Sequence, residues 1–368
     1  MGRLIGRTFP RRILAPSGRP GAGCRRPSLE VGLLLPLSGA AGLWGPSGLA
    51  CAQLAVEQWN AAGGQRGREV RLTVIDASDE SETLESHLDE GLEAGAFDAV
   101  VGMHTSSVRQ RAIAAIDGRV PFVYTPLYEG GPMPPGVFAI GETPEAQLLP
   151  AIAVVSARHG LRRWSLLGND YIWPRRSHRL AGQAIAQAGG EVVASRFEPL
   201  GRCDIGRALD EIRRQRADAV LISLIGQDAI DFNRAFADAG LARSVVRLSC
   251  AIEENGLLGM GPNRTEGLYV ASGYFASLSD ERNAAFRERY WTRFGERAPA
   301  LNALGQSVYE GVSFLRGMLA GGRREDASID FDSVRDVRWR DNARKATPVW
   351  LAQAAGMRFE VMQQLPPR

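Results

Sequence analysis

From Leu29 to Cys250 the chain alternates short apolar runs with amphipathic, helix-forming stretches, and this alternation constrains its fold more than any single motif. "LEVGLLLPL" reads as a buried strand, and "GPSGLACAQLAVEQWNAAGG" as a helix opening on Gly-Pro and stopping on a Gly pair. "REVRLTVIDASD", a helix over about Glu80–Leu92, "FDAVVG", a helix around Val108–Ile116 and "VPFVYTP" continue the pattern. After Thr143-Pro144 it restarts: a helix to about His159, the strand "RWSLLGN", a helix over Pro174–Ala188, then "GEVVASRFEPL", "ADAVLISLIG" and "SVVRLSC" with helices between them. Strands separated by helices form parallel sheets with covered faces. At 368 residues the chain also exceeds the size at which one core stops growing. The expectation is an α/β protein of two Rossmann-like lobes.

The last hundred residues depart from the alternation. "EGLYVASGYF" is followed by long helices over about Asp280–Phe294 and Leu301–Leu319, and "DVRWRDNARKATPVWLAQAAGMRFEVM" reads as antiparallel hairpin strands. The chain is therefore expected to re-cross between the lobes through a multi-crossover hinge. The expected division is a basic, disordered tail at 1–28, a first lobe at 29–143 plus 274–328, and a second at 144–273 plus 329–368. A hinge between two open parallel sheets places a ligand in the cleft at the strands' carboxyl ends.

The tail bears on location. Seven arginines, Arg3 to Arg26, precede the first acidic residue, Glu30. Arginines and prolines interrupt "LIGRTFPRRILAPSGRPGAGC", so the continuous apolar core of a secretory signal is missing and a cytoplasmic protein is expected, or a periplasmic one if translation starts elsewhere. No later stretch approaches the roughly 20 apolar residues of a membrane span. A net charge of +3 does not suggest nucleic acid. Cys24, Cys51, Cys203 and Cys250 lack metal-ligand spacing and read as free thiols.

Enzyme signatures are absent or malformed. "GAAGLWG" (Gly39–Gly45) follows the first strand, but its spacing is G-x-x-G-x-x-G rather than the dinucleotide G-x-G-x-x-G. There is no phosphate-binding G-x-x-x-x-G-K-[ST] and no G-x-S-x-G elbow, and the four histidines occur singly. No catalytic residue, metal or cofactor is expected.

The strand ends instead collect groups suited to binding. "VVGMHTSSVRQ" places His104, Thr105, Ser106 and Ser107 at a helix N-terminus, where hydroxyls and free N–H groups can meet a carbonyl or carboxylate. One hydroxyl is enough to cap the helix. "PFVYTPLYEGG" supplies Tyr124, Thr125, Pro126 and Tyr128, with both phenols expected in the cleft. "GNDYIWP" supplies Tyr171 and Trp173, which face the same way if the backbone stays extended to Pro174. Aromatic walls with hydroxyls suit a small, neutral, planar ligand such as an aliphatic amide or urea. An α-amino acid would need a carboxylate for its ammonium group, either Asp170 or Glu253.

These residues resemble a known family. "VGLLLPLSG", "AQLAVEQWNAAGG", "VVGMHTSSVRQ", "VYTPLYEGG", "GNDYIWPRRSHR", "GGEVVASRFEPLG", "ADAVLISLIGQDAIDFNRAF" and "RDNARKATPVWLAQ" are similar to the type I periplasmic-binding-protein fold. The Y-E-G of Tyr128–Gly130 and the G-x-D-Y-[IV]-[YW]-P-R of Gly168–Arg175 resemble its amide- and urea-binding branch. The resemblance spans Glu30 to Met362 and implies that Ser106 binds the ligand's polar head. His104 stands where an aromatic often does, and Tyr124 matches a cleft tyrosine. A hydroxyl residue of the amidase sensor is replaced by Pro126, with Thr125 as a substitute. Tyr171 and Trp173 match the second lobe's aromatic pair, the loop Ile225, Gly226 and Gln227 faces the cleft, and Glu253 is a further candidate.

Two outputs fit such a clamp. One is a cytoplasmic amide sensor that holds and releases a transcription antitermination regulator. The other is the binding component of an ABC importer, docking on a permease, for amides, urea or branched-chain amino acids. Neither implies direct nucleic-acid binding or membrane insertion, and both are compatible with a homodimer.

Overall fold

The structure, a computed structural model, describes residues 27–79, 81–321, 328–340, 343–345 and 347–367; the expected tail at 1–28 lies almost wholly outside them. The first sheet contains β1 (Ser28–Leu35), β2 (Glu69–Asp76), β3 (Ala99–Gly102), β4 (Phe122–Tyr124) and β5 (Val137–Ala139). Its order is β2-β1-β3-β4-β5 and every pairing is parallel. Successive residues Leu33 and Leu34 of β1 are both fully buried, as a strand covered on both faces requires. The cover comes from α1 (Gly45–Ala61), α2 (Leu84–Glu93) and α3 (Ser106–Ile116). The second of these helices starts at Leu84, later than the expected Glu80.

The second sheet repeats the winding. After α4 (Pro144–His159) come β6 (Arg163–Asn169), α5 (Ile172–Gln187), β7 (Glu191–Glu198), α6 (Ile205–Arg214) and β8 (Ala219–Ser223). They are followed by α7 (Gly226–Asp238), β9 (Val246–Ser249), α8 (Glu254–Met260) and β10 (Leu268–Ser272). The parallel strands run β7-β6-β8-β9-β10, the same second-first-third-fourth-fifth order as in the first sheet. Each sheet reverses direction beside its first strand, and at such a switch point ligands meet the carboxyl ends of open parallel sheets.

The chain then returns to the first sheet. α9 (Glu281–Phe294) and α10 (Ala303–Gly321) pack on α1, and α10 also contacts β3 and β4. The hairpin β11 (Trp339–Arg340) and β12 (Ala343–Arg344) follows, then β13 (Trp350–Ala355) and β14 (Arg358–Gln364), which extend the second sheet antiparallel beyond β10. Three connections thus link the sheets: β5 to α4, β10 to α9 and α10 to β13.

A buried charge cluster ties the first and third of these connections to each other and to α10. Arg335, on the third, donates from Nη1 to Glu142 on the first (2.8 Å) and from Nε to Glu310 of α10 (2.7 Å). Arg344 Nη2 reaches the same Glu142 oxygen at 3.2 Å. Glu310 also accepts from the Arg335 backbone N–H and the Ser333 hydroxyl, each at 2.8 Å. Two guanidiniums and two carboxylates balance, as buried ions must if they are to stay charged.

Candidate ligand-binding cleft

The lobes are closed on each other, and the loop that first invited a dinucleotide reading makes the contact. Residues Gly39–Trp44 leave β1 and cross to the second lobe, where the Ala40 carbonyl accepts from Gln227 N (2.9 Å) and the Leu43 carbonyl from Asn255 Nδ2 (3.1 Å). Trp44 Nε1 donates to Glu253 Oε2 at 3.2 Å. Gly226 sits at φ +55°, and a Cβ there would overlap the Ala40 carbonyl. Gly226→Ala is therefore expected to hold the lobes apart and to weaken ligand binding, with strain added by the positive φ. Small-angle scattering that shows the variant as compact as wild type at saturating ligand would contradict this.

Behind this lip lies a cavity of about 330 Å³ including its mouth, lined by side chains from both lobes. His104, Thr105 and Ser106 follow β3; Tyr124 ends β4, its neighbour in register (Gly102 opposite Tyr124), and Pro126 and Leu127 follow it. Tyr171 and Trp173 follow β6, Ile225 follows β8, and Ala251 and Glu253 follow β9. Trp44 and Leu304 complete the lining. Every contributor except Trp44 and Leu304 stands at or just beyond the carboxyl end of a parallel strand.

On the first lobe most of the polar groups hold one another. Thr105 is the N-cap of α3, accepting from Val108 N at 3.4 Å while donating to Asp79 at 2.7 Å. Ser106 Oγ donates to Glu129 (2.8 Å), which also pairs with Arg109 through both carboxylate oxygens. Burial alone would raise the Glu129 pKa, but the Arg109 hydrogen bond and charge outweigh it and hold the carboxyl below its ordinary value. Tyr124 OH donates to the His104 carbonyl at 2.7 Å. Burial depresses the His104 imidazole to about 3, so the ring is neutral; it is wedged between Gly102 and Phe122.

Unmet groups stand on both sides of the cavity: on the first lobe the buried His104 Nε2 has no hydrogen-bond partner among the described residues, and the second lobe adds two more. Trp173 is buried and its Nε1 has no hydrogen-bond partner among the described residues. Glu253 is 6% exposed and its one described side-chain partner is the Trp44 indole. Burial raises its pKa from 4.5 to about 8, only partly offset by that bond. Glu254, next in chain, turns away from the cavity to accept from Ala276 N (2.7 Å) in the second connection between lobes.

Several expectations need correction. Trp173 is not the second member of an extended pair: Tyr171 is the N-cap and α5 starts at Ile172, which puts Trp173 in the first turn. Pro174 is tolerated at the third helical position because the first four N–H groups have no intrahelical acceptor. Gly168 permits this approach, since a Cβ there would crowd Pro174 and Ser223. Thr125 faces away from the cleft and is fully buried, within 3.1 Å of the Ser307 hydroxyl on α10. Tyr128 packs outside the cavity against the first lobe and Arg109. Gly226 and Gln227 form the lip instead of the lining; the Gln227 side chain donates to Asp231 at 2.8 Å. Asp170 pairs with Arg175 at the surface. Trp44, Leu127, Ala251 and Leu304 were not anticipated.

Solved structures with this architecture share the whole two-lobed form. A periplasmic binding protein from Burkholderia mallei superposes with a TM-score of 0.78 at 16% identity, covering 92% of this chain and 95% of that one. An ABC-transporter solute-binding protein from R. palustris in complex with benzoate gives 0.78 at 19% identity, covering 92% and 97%. The branched-chain amino acid transporter substrate-binding protein of Streptococcus pneumoniae in complex with isoleucine gives 0.75 at 18%, covering 92% and 100%. A sequence profile of the family described as Periplasmic binding protein matches residues 28–346, most of the length and all of both sheets' parallel strands. The chain belongs to the periplasmic binding protein family.

Proposed function

We propose that this protein is the substrate-binding component of an ABC importer and that its ligand is a small α-amino acid, clamped between lobes at 29–143 plus 274–328 and 144–273 plus 329–368. The observation that carries this is Glu253: a carboxyl buried in the cleft wall with no cationic partner among the described residues. A buried acid in that position is suited to an ammonium group. The unpartnered Trp173 N–H is a donor awaiting an acceptor, which the ligand's carboxylate supplies. The amide or urea ligand expected from the sequence motifs leaves Glu253 without a cation.

The sensor role draws no support from the similar structures, two of which carry transporter names. A permease rather than an antitermination regulator is the partner this reading requires, with the protein working in the periplasm. The cytoplasmic expectation rested on residues 1–26, outside those described.

Calorimetric titration at pH 7 with leucine, threonine, acetamide and urea, in buffers of different ionisation enthalpy, tests the reading. A carboxyl with a pKa of about 8 is mostly protonated at pH 7, so pairing it with an ammonium releases close to one proton. By pH 9.5 the release should give way to net proton uptake, because the carboxyl is already ionised while part of the free ligand's ammonium has lost its proton. Saturable binding of acetamide or urea, with no heat from either amino acid, would replace this ligand assignment with the amide one.

A further inference from the structure

We propose that the ligand's side chain enters a second chamber walled by the hinge, and that it carries a neutral hydrogen-bonding group there, a hydroxyl or carboxamide; this rests on the amino-acid reading of the cleft. The chamber adjoins the first cavity, and the two share Pro126, Leu127, Glu253 and Leu304. An ammonium at Glu253 therefore stands at the junction. From one α-carbon, the carboxylate can point toward Trp173 and the side chain the other way.

Each of the three connections between lobes contributes a wall: Glu142 from the first, Ser272 at the start of the second, Arg335 from the third. Gln147 of α4 lies among them, 1% exposed, with its Oε1 unpartnered. The Ser272 hydroxyl accepts from Tyr274 N at 3.3 Å and gives its proton to no described group. The charges are already balanced, since Arg335 is held by Glu142 and Glu310. An added ionic group would upset that balance, whereas a hydroxyl or carboxamide can donate to Gln147 and accept from Ser272. A hydrocarbon would leave both unmet. The chamber's volume, about 330 Å³ including its mouth, equals that of the first cavity.

The test uses isosteric pairs. Affinities for threonine against valine, and asparagine against leucine, are measured by calorimetry on the full chain, on Gln147→Met and on Ser272→Ala. The wild type should prefer at least one polar member by about tenfold or more, and that ratio should fall toward one in the variants. Wild-type ratios at or below one, or ratios unchanged by both substitutions, with proton-releasing amino-acid binding intact, would overturn the chamber assignment and leave the proposed function standing. No binding of any of the four would overturn both. The wild-type ratios are decisive even if a variant fails to fold.

Discussion

Glu253→Gln is expected to cost amino-acid affinity heavily while making the empty protein more stable. The amide can still accept the Trp44 N–H, so the lip contact survives. What disappears is the charge that meets the ammonium. Removing one partner of a buried, hydrogen-bonded charge pair costs roughly 2–5 kcal/mol, about 30-fold to several thousand-fold in Kd. Stability should move the opposite way because the ligand-free carboxyl has only a neutral partner. Its pKa is raised from 4.5 to about 8, so its contribution to folding is fully present below the unfolded value and is lost as pH rises toward 8. The uncharged amide has no such dependence. Urea unfolding should therefore show the variant gaining on wild type between about pH 4.5 and pH 8, by an amount on the order of a few kcal/mol at the upper end. Glu254 is also raised, to about 7, but it is present in both proteins. Parallel stability curves would mean that Glu253 is solvated or paired, and the ammonium argument would fail with it.

The sequence carried the alternation because strands buried on both faces must be continuously apolar, as Val31, Leu33, Leu34 and Leu35 are. It also located the strand ends, since a repeated parallel winding gathers those ends in one cleft. Orientation past a strand's last residue was not legible. Thr125 and Pro126 are adjacent, yet one turns to α10 and the other to the cavity, because the Thr125 N–H still bonds the Gly102 carbonyl and keeps the strand's phase for one more residue. Trp173 went astray because Pro174 reads as a first helical residue when it occupies the third. Trp44 and Leu304 come from a loop and a helix brought to the strand ends by contacts distant in sequence, to which local periodicity is blind. Nothing in "CAIEEN" says which glutamate faces the cleft; burial and the Trp44 bond single out Glu253.

The hinge charges were invisible for the same reason: Glu142, Glu310, Arg335 and Arg344 lie far apart in sequence and meet where the connections converge. Arg335→Met is expected to destabilise the protein by about 3–5 kcal/mol at pH 7, since it leaves Glu310 without a guanidinium and Glu142 with Arg344 alone. Burial would raise the Glu142 pKa, but Arg335 and Arg344 overcome it and keep it below the ordinary value. Its contribution is therefore present above the unfolded carboxylate range and lost as pH falls through the lower folded value. Without Arg335, Glu142 protonates at higher pH, so acid unfolding should begin earlier and the gap to wild type should narrow toward pH 3. Adding Glu310→Gln to Arg335→Met should recover part of the loss, because the cost lies in the orphaned charge and not in the missing attraction. Urea denaturation of the three proteins at pH 7 and pH 4 checks this. If the double variant is no more stable than Arg335→Met, the arginine acts through packing, and the first and third connections are held by shape instead of charge.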